Sequence, residues 1–220
     1  METITYMARK SAKLNHPASW EKQAASERDQ LGFERLLFFS DAVFAIAITL
    51  LALEIRLPSL EGSLTNEQLF QQLWAIWPKY FSYALSFLVI GAFWMGHHRK
   101  FRFILRYDAN LILLNIFLLM AVAFIPFPTA VIGENENRTA TIFYALVMTI
   151  AGLLNTAVWV YASRHNRLIE PTFTPQQTRR ETLRTLVVPG VFLLSIGLAF
   201  INPMIAIYSW LLVGVVLKFA

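Results

Sequence analysis

The sequence contains no cysteine, which excludes disulfides, thiol catalysis and every metal site built on thiolates. Charge is scarce as well: Asp, Glu, Lys and Arg make up 15% of the 220 residues, against 56% hydrophobic residues. Soluble domains carry about 25% charged residues, so this chain is built for a bilayer as its solvent, in keeping with a mean hydropathy of +0.51. There is no Gly-rich phosphate loop, no Gly-x-Ser-x-Gly and no His-Glu-x-x-His, so enzyme chemistry has no foothold and no catalytic residue is assigned. An N-terminal secretory signal is not expected, because residues 1–34 lack a continuous apolar core followed by a small-residue cleavage site.

What the sequence does have is six long apolar runs: Leu36 to Leu57, Ile76 to Met95, Ala109 to Phe127, Thr141 to Tyr161, Leu186 to Ile201 and Met204 to Phe219. None alternates with period two, and backbone in lipid must satisfy its own hydrogen bonds, so all six are read as helices. The expected fold is an all-α integral membrane protein with six transmembrane helices. Pro126 and Pro128 are expected to close the third run, and Pro189-Gly190 to kink the fifth. Asn202-Pro203 joins the last two runs as a tight hairpin.

The net charge of +5 describes orientation, not nucleic-acid binding. Of the 19 Lys and Arg residues, all but Arg56, Lys79 and Arg138 fall on one side of the alternating runs, and that side is cytoplasmic. Both termini are therefore expected in the cytoplasm, with residues 1–34 as a flexible leader and residues 35–220 as the membrane domain. A surface helix over Ser19 to Phe33 is the alternative for the leader. Trp74, Trp77 and Tyr80 read as interfacial anchors at the outer start of the second run. The basic stretch Arg164 to Arg184 reads as a cytoplasmic loop facing anionic lipid.

The first run carries the one ionisable residue well inside a span, Asp41. Such a charge is costly and needs a reason. It either caps or pairs locally, with Arg35 as a candidate, or it anchors the helix inside its own subunit. At about 100° per residue, Ile46, Thr49, Leu50, Leu53 and Leu57 share an arc of about 100°, with Asp41 about 140° from Ile46. If the helix lines an axis in an oligomer, this stripe forms stacked rings; otherwise it faces lipid or another helix. A proton-coupled secondary transporter using Asp41 is the rival functional reading.

The string Arg35-x-x-x-Phe39-Ser40-Asp41, followed by Ala42-Val43-Phe44-Ala45-Ile46-Ala47-Ile48-Thr49, resembles the signature of prokaryotic relatives of the lysosomal potassium channel called transmembrane protein 175. The second run ends in Trp94-Met95-Gly96-His97-His98-Arg99, which extends the resemblance. It implies a homotetramer in a prokaryotic plasma membrane, with the first helix lining a pore and K⁺ as the permeant ion, weakly preferred over Na⁺. It implies a constriction at Ile46, with Leu50, Leu53 and a Thr49 layer, the residues that the arc also groups. It further implies a supporting network of Arg35, Phe39, Ser40, Asp41, Trp94 and one of His97 and His98. The sequence agrees in lacking a Thr-Val-Gly-Tyr-Gly filter.

Other polar residues are given ordinary roles. His97 and His98 point about 100° apart on a helix and do not share a metal ion easily, so no metal or other cofactor is expected. Glu54 and Arg56 lie at the outer end of the first run as interfacial charges. Asn110, Asn115, Asn155 and Thr156 are expected to make interhelical hydrogen bonds. The expected partners are further copies of the chain, membrane lipids and monovalent cations.

Overall fold

The computed structural model describes residues 17–58 and 63–214. These are helical apart from short connections and an isolated antiparallel bridge between Ile104 and Ile169. Backbone contacts divide the chain into two units, Met1–Phe39 and Ser40–Ala220. In the first, the described residues are helical from Pro17, with side-chain bonds one turn apart from Gln23 to Glu27 (3.2 Å) and Gln30 to Glu34 (3.4 Å). The expectation of a flexible leader is thus corrected for residues 17–34. Residues 1–16 lie outside the described residues.

Helix α1 spans Pro17–Leu53, and α2, Asn66–Ala75, follows it. The sequence reading did not anticipate α2. Thr65 and Gln68 form a reciprocal capping box that starts it. It is bent by 45° from α3, Trp77–Phe101, whose first turn contains Pro78. Trp74 therefore sits on α2, while Trp77 and Tyr80 open α3; all three are exposed. Helix α4, Ala109–Phe124, is capped by Asp108, and α5, Pro126–Glu134, resumes after a break at Ile125. Pro126 and Pro128 open this helix instead of closing the run. A proline in a first turn lacks only an N–H that would have no helical partner anyway.

Helix α6, Arg138–Ser163, is the most buried of the set. A 3₁₀ turn at Arg164–Asn166 follows, with His165 and Asn166 at φ 56° and 49°. Helix α7, Pro175–Ile201, runs from a second capping box, Thr174 with Gln177. It begins well before Leu186, so the fifth run is longer than read, and the presumed loop from Arg164 to Arg184 is half helix. The positive charge had masked it, because apolarity was the signal used to find helices. Helix α8, Pro203–Ser209, is capped by Asn202, and helical structure reaches Gly214; the rest of the sixth run lies outside the described residues.

Packing in the second unit is carried by aromatics and buried hydroxyls. Tyr144 of α6 stacks on Trp210 at 4.6 Å, with Phe192 of α7 at 5.6 Å from the same indole. Trp210 Nε1 donates to Ser195 Oγ at 2.8 Å, and the Tyr144 hydroxyl shares a 2.9 Å bond with Ser86 of α3. Thr129 of α5 donates to Ser86 at 2.8 Å. These hydroxyls and the indole N–H satisfy one another, as a medium without water demands. Among the described residues four helices are long and apolar enough to cross a membrane, or five if α2 and α3 form one span. The chain is a multi-pass membrane protein.

Candidate pore-lining helix and its anchor

From Ser40 onward α1 has two unlike faces. Ser40, Phe44, Ala47 and Leu51 are at most 1% exposed, and their spacing of four, three and four residues makes one stripe. On the far side Ile46 is 56% exposed, Leu50 38% and Leu53 61%, and Thr49 is exposed with them. These are the residues that the helical arc grouped. The Thr49 hydroxyl donates to the Ile46 carbonyl one turn back at 2.9 Å. A helix that attaches by one stripe and leaves an apolar face uncovered is built to meet something else there.

The buried stripe is fixed by two short hydrogen-bond chains. Trp94 Nε1 of α3 donates to Asp41 Oδ1 at 2.8 Å, so the half-buried carboxylate faces its own subunit. In the second chain, Asn115 Nδ2 of α4 donates to Ser40 Oγ at 2.9 Å, and Asn115 Oδ1 lies 2.9 Å from His97 Nε2. An amide oxygen only accepts, so His97 carries its proton on Nε2 in this bond. The imidazole is buried, stacked on Phe101 at 4.2 Å and 5.5 Å from Phe44. His98 is exposed and stacks on Trp94 at 5.6 Å. The two histidines thus serve different neighbours, and His97 is the one linked to the Ser40 stripe. Arg35 and Phe39 belong to the other unit and are exposed there.

Sequence reasoning gave Asn115 the interhelical bond it makes, but did not see that it joins α1 to α3. Only the fold brings positions 40, 97 and 115 together. Asn155 and Thr156 also bond across helices, the latter to the Thr185 carbonyl at 3.2 Å. Asn110 is exposed.

Lys100, counted from sequence among the basic residues of the side expected to be cytoplasmic, is 1% exposed. Its ammonium donates to the Asn155 carbonyl at 2.8 Å and to Asn155 Oδ1, tying α3 to α6. At the start of α3, Lys79 pairs with Glu134 at 2.9 Å and reaches the Arg56 carbonyl at 3.5 Å. Glu54 is half-buried and Arg56 exposed, its Nε donating to the Leu53 carbonyl at 3.1 Å.

Between α3 and α4, Asp108 caps α4 through the Leu111 amide at 2.9 Å, and accepts from Tyr161 at 2.8 Å and Arg167 at 2.7 Å. Partial burial, the largest single influence, pushes its carboxyl up; the Leu111 amide, the Tyr161 hydroxyl and the Arg167 guanidinium together outweigh it and hold the group below its ordinary value.

A sequence model of the family described as "Endosomal/lysosomal potassium channel TMEM175" matches residues 35–126. A Streptomyces collinus protein named a potassium channel is 39% identical over 173 residues, or 76% of this chain and 82% of its own. A Chamaesiphon minutus protein, also named a potassium channel, is 34% identical over 195 residues, 87% and 92% of the two chains. A crystal structure described as a lysosomal potassium-selective channel TMEM175 homolog from Chamaesiphon minutus superposes with a TM-score of 0.74 at 30% identity, over 86% of this chain and 97% of that one. Likeness of this degree, over most of both chains, makes this chain a member of the TMEM175 family.

Proposed function

We propose that the chain is a cation channel, passing K⁺ with a weak preference over Na⁺, and that four copies surround a pore lined by α1. The observation that carries this reading is the uncovered face of Ile46, Thr49, Leu50 and Leu53 opposite a firmly anchored stripe. One helix encloses nothing, so a pore needs several copies related by a closed rotation. Relatives named as potassium channels support the choice of an ion path over a lipid-facing surface.

In this reading six apolar segments cross a prokaryotic plasma membrane, with both termini cytoplasmic. Residues 1–34 form a cytoplasmic segment and 35–220 the channel domain. Four Ile46 side chains make the narrowest ring, closing the path by contact and by dewetting, with Leu50 and Leu53 extending the apolar zone outward. The Thr49 hydroxyls replace part of a hydration shell. K⁺ gives up water at lower cost than Na⁺, so a narrow and weakly polar ring favours it modestly.

The absence of cysteine gives a clean test. Single Ile46→Cys and Leu53→Cys variants, reconstituted in liposomes, are expected to pass K⁺ down its gradient and to be blocked by a small cationic thiol reagent. Unmodified wild type should be unaffected. Flux that saturates, follows the proton gradient and ignores the reagent would instead support the transporter reading.

A further inference from the structure

Helix α7 leaves one face uncovered along its whole length. Arg179, Leu183, Leu186, Gly190, Leu193, Leu194 and Gly197 follow each other at helical spacing. Leu194 is 73% exposed, and a Cβ built at Gly190 or Gly197 would meet nothing within 4 Å. At its cytoplasmic end this stripe opens into a cleft of about 400 Å³ between the first two turns of α7 and the end of α6, lined by Ser163, Asn166, Thr178, Arg179 and Thr182.

The charges around the cleft are unevenly committed. Arg167 is held by Asp108, and Arg184 by Glu181 at 2.7 Å, which also faces Arg99. Among the described residues Arg179 has no ion pair, and no carboxylate lines the cleft. Thr178 and Thr182 spend their protons on the Thr174 and Thr178 carbonyls at 3.2 and 2.9 Å. Ser163 reaches the Val160 carbonyl only at 3.4 Å, so its hydroxyl is available to turn. Asn166 is locked in place by its bond to the Phe173 carbonyl at 3.1 Å, which keeps the cleft wall standing.

The geometry points to a binding site for an anionic phospholipid, with the phosphate at Arg179 and Ser163 and an acyl chain along Leu183, Leu186 and Gly190. The unpaired guanidinium selects an anionic headgroup. The continuous apolar stripe selects a lipid over a free phosphate, because only a lipid fills both parts. Leu183 lies one turn, about 6 Å, beyond Arg179 along α7, which suits the step from headgroup to acyl chain. The site is separate from the α1 face, and its occupancy is read by binding, not by ion flux.

The test uses the purified full-length protein in mild detergent, titrated with short-chain phosphatidylglycerol, short-chain phosphatidylcholine and glycerol phosphate, with bound lipid counted by native mass spectrometry. Wild type should retain phosphatidylglycerol in preference to phosphatidylcholine, and glycerol phosphate should compete poorly. Arg179→Gln should weaken phosphatidylglycerol retention by about fivefold, Arg179→Lys should restore most of it, and Leu183→Ser should weaken it while leaving glycerol phosphate unchanged. Arg102→Gln, an exposed charge outside the cleft, should have no comparable effect. Equal retention of both lipids, equal losses from Arg102→Gln and Arg179→Gln, or full competition by glycerol phosphate would each overturn the assignment.

Discussion

The indole N–H of Trp94 donates to Asp41 Oδ1 at 2.8 Å, joining α3 to the flank of α1 that lies between its buried stripe and its uncovered face. The carboxylate is therefore spent on holding the helix at a fixed rotation. We propose that this bond is how a charge one turn inside a span is tolerated, with Asp41 as an anchor and not an ion site.

Asp41→Asn keeps an acceptor oxygen but removes the charge assistance, and is expected to cost about 1 kcal/mol, with Trp94→Phe costing a similar amount. Because both act on one bond, the double variant should lose less than the sum. Thermal unfolding in detergent measures the loss, and the ratio of K⁺ to Na⁺ permeability should stay near wild type. A sharply altered ratio with stability intact would place Asp41 on the ion path.

Ile46→Asn replaces an apolar ring with a wettable one, so conductance should rise and the preference for K⁺ should fall. Thr49→Val removes a hydroxyl at nearly constant volume and should weaken the preference without opening the constriction. Paired K⁺ and Na⁺ flux measurements on both reconstituted variants check this. Wild-type behaviour in both would mean that this face of α1 does not touch the ions.

Gly152 of α6 lies against the ring of Pro189 in α7: a Cβ there would come within 2.8 Å of Pro189 Cδ and 2.9 Å of its Cβ. Gly152→Ala should therefore destabilise by about 1–3 kcal/mol, and adding Pro189→Ala should recover part of the loss. The readout is again the melting temperature, with no recovery arguing that the clash lies elsewhere.

Asp108 gives the chain an acid limit. A carboxyl held below its ordinary value in the fold contributes stability that is fully present above the unfolded value, about 3.9. That contribution is lost as pH falls through the lower, folded value. Wild type and Asp108→Asn should thus differ in melting temperature by a constant amount from neutral pH down to about pH 4, and converge below it. A difference that stays constant through the acid range would mean that Asp108 is unperturbed.

Helices were legible in the sequence wherever apolarity marked them. All six runs contain helix, and the two-faced character of α1 followed from spacing alone. The amphipathic starts were not legible: α2 and the first turns of α7 are polar enough to resemble loops, and their real signals were the caps Thr65 with Gln68 and Thr174 with Gln177. Pro126 misled because a proline ends a helix or begins one according to a break that only backbone geometry reveals. For the site, residue types on α1 were readable, but the choice between His97 and His98 was not, since it depends on where α4 places Asn115. The burial of Lys100 was not legible because position in sequence does not report burial.

The Thr49 hydroxyl, whose proton goes to the Ile46 carbonyl, has only lone pairs left to present outward. In a ring of four copies such oxygens act as acceptors without acting as donors. A ring of this kind discriminates by sign before it discriminates by size: it offers partial ligands to a cation and nothing with which to stabilise chloride. Anion exclusion would then need no fixed charge in the membrane at all, and a helix with an otherwise apolar face would be enough to set it.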